Sequence, residues 1–496
     1  MTPSTNALAF DLGAESGRAI LGRFDGDRLQ MTEVHRFPNG PLRAPDGLHW
    51  DVHRLFAEMK RGLELAVRDH GPPASVGVDT WGVDFALLDG RGELLGLPFH
   101  YRDSRTAGVM EKALERVTRE EIFERTGVQF LPINTLYQLY SMVLDRSPLL
   151  ERATTFLTIP DLFNFWLSGR ALCEFTNATT TQFYDPRARA WATPLLEKLG
   201  IPTHFLPEIV PPATVLGPLL PEAAGEALGG VPLIAPACHD TGSAVAAVPA
   251  TGNDFAYISS GTWSLVGVEE PEPIVTPKAL ANNFTNEGGI GGFRFLKNVS
   301  GMWLLQECRR RWAEEGDALS YDDLTALAGR ARPFRSFIDP DDGAFLSPSD
   351  MPSAIATFCR RTGQEVPEEK GDIVRCALES LALKYRWVIE RIERIRGRAV
   401  DVVHVVGGGC RNALLCRFTA DATGKTVIGG PVEATAIGNV LVQLMALGSL
   451  SSLAEGRALV RRSFPTETYE PGAQARWDDA FGRFVSVLQT TPAADE

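Results

Sequence analysis

Ala7-Leu8-Ala9-Phe10-Asp11-Leu12-Gly13 reads as a buried strand that ends in a turn, and Ala19-Ile20-Leu21-Gly22-Arg23-Phe24 as the strand that returns from it. Between them Ala14-Glu15-Ser16-Gly17-Arg18 forms a tight polar hairpin, with two glycines, Gly13 and Gly17, nearby. The same form comes back after Asp254. Phe255-Ala256-Tyr257-Ile258 is a strand, Ser259-Ser260-Gly261-Thr262 a small-residue tip, and Trp263-Ser264-Leu265-Val266-Gly267-Val268 the second strand. The identities differ and the pattern agrees. Two such units indicate a duplicated α/β fold, each half presenting a small-residue hairpin to a shared cleft.

Around the first hairpin the chain continues in kind. Met31 to Phe37 is a third strand, and a helix runs from Val52 to His70 with Leu55, Met59, Leu63 and Val67 at spacing four. Ser75 to Asp79 and Phe85 to Asp89 come next as strands, making an α/β layer that does not alternate in the Rossmann manner. Tyr101 to Trp191 reads as mostly helical, with Phe163, Phe165 and Trp166 as core. Pro207 to Val231, rich in Pro, Gly and Ala, reads as an ordered connection at a domain edge. In the second half Ile373 to Ile395 is a long amphipathic helix with Ala377, Leu381, Tyr385, Val388, Ile389 and Ile392 on one face. Val402 to Val406 is a buried strand that enters Gly407-Gly408-Gly409-Cys410-Arg411-Asn412 and a helix from Ala413. Glu433 to Leu447 is expected to be the last helical region of that half, and the acidic end Ala493-Ala494-Asp495-Glu496 is expected to be disordered. The expected domains are 1–248, 249–470 and a C-terminal helix and tail over 471–496.

A chain of 496 residues exceeds what one core supports, so two or three domains are expected. Its net charge is 49 − 62 = −13, without basic clusters, which argues against nucleic acid and anionic membrane as partners. An anionic small molecule is still accommodated, because helix ends and backbone N–H groups hold phosphate locally. No run of 18 apolar residues occurs, and Ala7 to Leu12 is too short for a signal core, so a cytoplasmic protein is expected. Seven cysteines without CxxC spacing fit a reducing compartment and no zinc site. Cys359 and Cys376 flank a polar, Pro-containing segment that would let them pair if it folded back, but free thiols are expected.

Chemistry concentrates at Ala237-Cys238-His239-Asp240-Thr241-Gly242-Ser243, which closes the apolar run from Val231 and opens the small-residue run to Val248. A strand feeding a closely packed helix reads this way, with Asp240 at the strand end. Taken alone, Asp before small residues reads as a helix cap. Three glycine-containing loops shift that reading: Gly13 to Arg18, Ser259 to Thr262, and Gly407-Gly408-Gly409. Each by itself is a plain turn. Two at equivalent hairpins and one at a strand-to-helix turn point to phosphate, held by backbone N–H groups. Asp240 then suits a base that takes a proton from a sugar hydroxyl. The P-loop is absent, since Thr419 stands where Gly is needed before Gly424-Lys425-Thr426, and no HExxH or EF-hand spacing occurs. Asp11, at a strand end beside its loop, suits a magnesium ion held through water. Asp79-Thr80-Trp81-Gly82-Val83-Asp84 fits either a sugar site, with Trp81 on an apolar face and Asp84 accepting hydroxyls, or a core Trp beside a solvated Asp.

These motifs, with Tyr101-Arg102-Asp103-Ser104-Arg105, Asn177-Ala178-Thr179-Thr180-Thr181-Gln182, Ser260-Gly261-Thr262-Trp263-Ser264 and Gly407 to Cys410, resemble the FGGY carbohydrate kinases in order and spacing from about residue 7 to residue 470. The resemblance implies two actin-like ATPase (ribonuclease H-like) domains around a central cleft, closing over ATP with magnesium. Asp-Thr-Trp-Gly-Val-Asp and Asn-Ala-Thr-Thr-Thr-Gln resemble the branch that phosphorylates L-rhamnulose, in L-rhamnose catabolism, more than those for glycerol or xylulose. A related ketose such as L-fuculose is the alternative. The resemblance further implies nucleotide contacts from Ala14, Glu15, Ser16, Gly17, Arg18, Thr262, Asn298, Gln306 and Gly408. It implies sugar contacts from Gly82, His239, Asp240 and Thr241, with Asp240 as the base, in a monomer or small homo-oligomer. Glu15 departs from the family pattern, which has Ser there. Asn298 and Gln306 lie in Lys297 to Gln306, which reads as a loop entering a helix.

Overall fold

The computed structural model describes residues 4–472 and 474–490. The chain folds into two compact units, each assembled from three stretches: Met1–Thr251, Glu269–Phe295 and Ala434–Phe464 in the first, and Gly252–Val268, Leu296–Glu433 and Pro465–Glu496 in the second.

The first unit opens with β1 (Thr5–Leu12), β2 (Ser16–Phe24), β3 (Leu29–Pro38), α1 (Val52–His70) and β4 (Ser75–Thr80). It continues to β5 (Thr214–Pro218), β6 (Pro232–Ala235) and α2 (Asp240–Ala246). Its sheet runs β5-β6-β4-β1-β2-β3. β1 lies antiparallel to β2 and parallel to β4, so it is a central strand buried on both faces, and Ala7 to Phe10 are fully inaccessible. α1 starts where the Asp51 side chain accepts the Arg54 N–H and stops at Gly71, whose φ of 77° no β-carbon residue holds easily. Its spacing-four face is the buried one: Leu55, Met59 and Leu63 are fully inaccessible. Gly17 is required by packing, since a Cβ there would lie 2.2 Å from the Phe37 ring.

The second unit carries β7 (Phe255–Ser260), β8 (Trp263–Glu270), β9 (Phe293–Ser300), α3 (Trp303–Glu314), α4 (Lys370–Arg396), β10 (Val402–Val406), α5 (Ala413–Thr423) and β11 (Thr426–Gly429). Its last strand is β12 (Glu467–Tyr469), and the order among these strands is β9-β8-β7-β10-β11-β12. β7 is antiparallel to β8 and parallel to β10, the relation β1 has to β2 and β4.

Between these elements the chain returns to the first unit as α6 (Ala434–Ala446) and α7 (Leu453–Ser463), and α8 (Gln474–Thr490) is the last described helix. α6 is not merely apolar. Gln443 Nε2 donates to Leu8 O at 3.1 Å and to Asn439 Oδ1 at 2.6 Å, while its own Oε1 accepts from Ser75 Oγ at 2.7 Å. A buried amide left unmatched costs about 1–3 kcal/mol, and here each finds a partner. Gly438 lets α6 reach α2, since a Cβ there would sit 1.7 Å from Ser243 O.

Three sequence expectations need correction. Glu433 to Leu447 is not the last helical region before the C-terminal helix: α7 comes after it, and Ser452 caps α7 by accepting the Glu455 N–H. Asn298 lies in β9 rather than in a loop, because Phe293 to Val299 pack on both faces and absorb the polar Lys297-Asn298 pair. The Pro207–Val231 connection contains a strand, β5, which closes the sheet edge antiparallel to β6. The tail from Ala493 to Glu496 lies outside the described residues. All seven cysteines are buried free thiols, Cys359 and Cys376 included.

Candidate active site

The register of the first sheet sets three charged groups in one row. Asp11 pairs with Arg18 across β1–β2 and with Asp79 across β1–β4. Arg18 forms an ion pair with Asp11. Asp79 is fully buried, with Oδ2 accepting the Asn439 side-chain N–H at 2.6 Å and Oδ1 buried without a partner. Burial pushes its carboxyl well above the ordinary range, and the charges of Asp11 and Asp240 push the same way.

One residue further, Thr80 bridges His239 in parallel and donates its N–H to Cys238 O at 2.9 Å. This bridge delivers the Cys238-His239-Asp240 turn to the carboxylate row. From beneath, Glu174 Oε2 accepts the Cys238 N–H at 3.0 Å and the Thr176 hydroxyl, whose oxygen in turn accepts the His239 N–H at 3.0 Å. Burial lifts the Glu174 carboxyl to about 8.

Asp240 does not cap its helix. His239 occupies the N-cap position, and Asp240 is the first residue of α2. Its Oδ1 accepts the Thr241 N–H at 2.6 Å and the Thr241 hydroxyl at 3.2 Å, and faces His239 Nε2 at 3.5 Å. Oδ2 accepts no hydrogen bond from the described residues, and the side chain is 28% exposed. Its pKa is raised by burial; the neighbouring His239 opposes that shift and Asp11 adds to it. Gly82 stands against the same group, since a Cβ there would lie 3.1 Å from Thr180 and 3.3 Å from His239 Nε2. Gly82, His239, Asp240 and Thr241 are therefore brought together, with Asp11 and Asp79 alongside.

The Asp79–Asp84 motif divides between site and core. Asp84 is fully buried and accepts from Trp50 Nε1 at 2.5 Å, Trp81 Nε1 at 3.0 Å, Gln138 Nε2 at 2.9 Å and the Tyr101 N–H at 3.2 Å. Trp81 packs on Trp50 with ring centroids 3.9 Å apart. Trp81 is packed into the core, and Asp84 is fully buried beneath these four donors. At the first hairpin, Gly13 N–H donates to Ser16 O at 2.9 Å, Ala14 and Ser16 are half-buried, and Glu15 is exposed.

In the second unit the residues singled out from sequence gather round the Ser260–Trp263 tip. A Cβ on Gly409 would fall 1.9 Å from Ser260 Oγ, so the glycine turn lies directly on that tip, whereas a Cβ on Gly408 would meet nothing within 4 Å. Thr262 O accepts the N–H groups of Gly301 and Trp303, each at 3.1 Å, tying the tip to the turn between Asn298 and Gln306. Gln306 Oε1 is buried without a partner.

Sequence reasoning missed Glu174, Glu287 and Arg294. Glu287 and Arg294 flank the Gly289–Gly292 turn and contact His239, a pairing that no local spacing announces.

Among the described residues no three His, Cys, Asp or Glu side chains stand at metal-ligating spacing, which excludes a closed protein cage there. The oxygen-only row of Asp11 and Asp79, with one orphaned buried oxygen, does fit a hydrated magnesium ion, which keeps several waters and needs only one or two carboxylates. No described helix is long and apolar enough to cross a membrane.

The chain matches the FGGY family of carbohydrate kinases, N-terminal domain, over residues 6–247 and C-terminal domain over residues 256–447. It is 45% identical to a rhamnulokinase of Bacteroides thetaiotaomicron over 98% of this chain and 99% of that one. It is 43% identical to a rhamnulokinase of Oceanobacillus iheyensis over 93% of this chain and 97% of that one. Among solved structures, gluconate kinase from Lactobacillus acidophilus superposes with a TM-score of 0.80 at 16% identity, covering 99% of both chains. Plasmodium falciparum glycerol kinase with ADP gives 0.78 at 13%, over 99% of this chain and 98% of that one, a likeness of fold.

Proposed function

This chain belongs to the FGGY family of carbohydrate kinases, and we propose that it transfers the γ-phosphoryl group of ATP to the 1-hydroxyl of L-rhamnulose, a step of L-rhamnose catabolism. The observation that carries the mechanism is the state of Asp240: one carboxylate oxygen is occupied by donors, while the other is unengaged on a partly exposed side chain.

Asp240 Oδ2 takes the proton of the 1-hydroxyl as that oxygen forms its bond to the γ-phosphorus. The bond from phosphorus to the β–γ bridging oxygen breaks, and L-rhamnulose 1-phosphate and ADP leave. The raised pKa of Asp240 brings it nearer the working pH, as a general base requires. Gly82, His239 and Thr241 hold the sugar. Ala14, Glu15, Ser16, Gly17, Arg18, Thr262, Asn298, Gln306 and Gly408 are the residues assigned to the nucleotide. Glu15 contributes backbone only, its side chain being exposed. Asp11, with Asp79 beside it, would hold the waters of a magnesium ion, which when bound offsets phosphate charge. Catalysis is then largely positioning and electrostatics. Seven unpaired buried thiols support a reducing, cytoplasmic setting.

The test is ADP release measured over a panel of ketoses, with the phosphorylated carbon identified by NMR. L-rhamnulose should give the highest kcat/KM and a 1-phosphate product. A preference for L-fuculose or D-xylulose, or phosphorylation at another carbon, contradicts the reading.

A further inference from the structure

We infer that Thr180, Thr135 and Gln138 are positioning residues: they hold Val83 in a strained backbone turn, and that turn fixes Gly82 in place for the sugar. The inference rests on the reading of Gly82 as a sugar contact.

Val83 has a φ of 67°, and the Asp84 N–H donates to Gly82 O at 2.9 Å. A hydrogen bond closed over three residues, with positive φ at the middle one, is the rare and strained form of γ-turn. In the left-handed region a branched β-carbon crowds its own backbone. No other β-branched residue among the described residues takes a positive φ. The Val83 side chain is partly exposed, so deep burial does not offset the strain. Such a conformation persists only where its surroundings over-determine it, and these positions cluster at ligand sites.

Both backbone groups of Val83 are held. Thr180 Oγ1 has one proton to give, which goes to Asn177 O at 2.8 Å, so a lone pair faces the Val83 N–H at 3.2 Å. Val83 O accepts the Thr135 hydroxyl at 2.6 Å and Gln138 Nε2 at 3.2 Å, both from the helix Thr135–Leu144. Arg105 Nη2 donates to Gln138 Oε1 at 2.6 Å, which turns the other end of that amide toward Val83. Thr180 and Arg105 come from the motifs Asn177 to Gln182 and Tyr101 to Arg105, neither of which supplies an assigned sugar or nucleotide contact. Thr180 also borders Gly82, where a Cβ would lie 3.1 Å from its side chain and 3.3 Å from His239 Nε2. Gly82 thus sits between the γ-turn and the Thr80–His239 bridge. Release of Val83 to the extended backbone that β-branched residues favour would redirect the chain at Gly82 and shift it relative to His239.

The test is a rescue, read as kcat and KM of the full-length protein for its preferred ketose and for ATP. Thr180→Val removes the acceptor for the Val83 N–H and should lower kcat/KM for the ketose by roughly 10- to 100-fold, the scale of a misplacement of about 1 Å. KM for ATP should stay as in the parent. Adding Val83→Gly to Thr180→Val should restore most of the loss, because glycine holds a positive φ unaided. Glycine at 83 repairs neither a lost contact between Thr180 and sugar nor general damage to the fold, so absence of rescue overturns the proposal. Unchanged kcat/KM in Thr180→Val overturns it as well. If Thr180→Val does not fold, Thr135→Val with and without Val83→Gly makes the same comparison, with the same two outcomes. Gly82→Ala separates the layers: unchanged ketose kcat/KM there overturns the sugar reading of Gly82 and the proposal with it, whereas a loss there without rescue at Val83 overturns the proposal alone.

Discussion

β1 in the first unit and β7 in the second have the same neighbours: an antiparallel partner across a short hairpin on one side and a parallel strand on the other. The residues at the ends of those strands differ in kind. The first frame ends in Asp11, Arg18 and Asp79, with Asp240 delivered beside them by the Thr80–His239 bridge. The second ends in Ser260, Gly261 and Thr262, with Gly407, Gly408 and Gly409 on the parallel strand's exit. Carboxylates handle protons and hydrated metal. Glycines and hydroxyls offer donors and close approach to phosphate. On the proposed function one scaffold carries two chemistries, set by the residues at the strand ends.

That contrast can be broken at its sharpest point first. Asp240→Asn should lower kcat for sugar phosphorylation by roughly 10²- to 10⁴-fold, the range for loss of a general base, as read by coupled ADP release. Next in size is the glycine turn of the second frame. Gly409→Ala forces a Cβ into Ser260 and should lower stability by about 1–3 kcal/mol, while Gly408→Ala, facing open space, should change it by less than about 0.5 kcal/mol. Urea midpoints of the two variants check both, and equal midpoints would mean the tip and the turn are not in contact.

A third test concerns pH. The folded Glu174 carboxyl sits at about 8 against an ordinary 4.5, so its neutral form is favoured in the folded chain. Its contribution is fully present below about 4.5 and is lost as pH rises through 8. Melting temperature should fall over that window, and Glu174→Gln should flatten the fall. An identical slope in the variant contradicts a neutral Glu174. The smallest effect belongs to Glu15, whose side chain is exposed: Glu15→Ser should change KM for ATP by no more than about twofold, the scale of a surface substitution.

Much of this frame is legible in the string because it is local. α1 spans Val52–His70, as its spacing-four apolar face and its flanking Asp51 and Gly71 indicate. Both hairpins are legible for the same reason, since turn chemistry sits within a few residues. The misses are non-local. Asp84 reads equally well as a sugar ligand until Trp50 and Gln138, from distant elements, are seen to donate to it in the core. Arg294 belongs to no motif in the string, and its contacts with Glu287 and His239 exist only once the chain around Gly289–Gly292 has turned. α7 is a different failure: its Ser452–Glu455 cap is present in the sequence but comes after a long apolar helix that reads as an ending.

The division of chemistry between the two frames is tested most directly by titrating Asp240→Asn with ATP in a calorimeter. The account predicts a nucleotide affinity equal to that of the parent protein in a chain that no longer phosphorylates sugar. Loss of nucleotide binding in step with loss of turnover would contradict it.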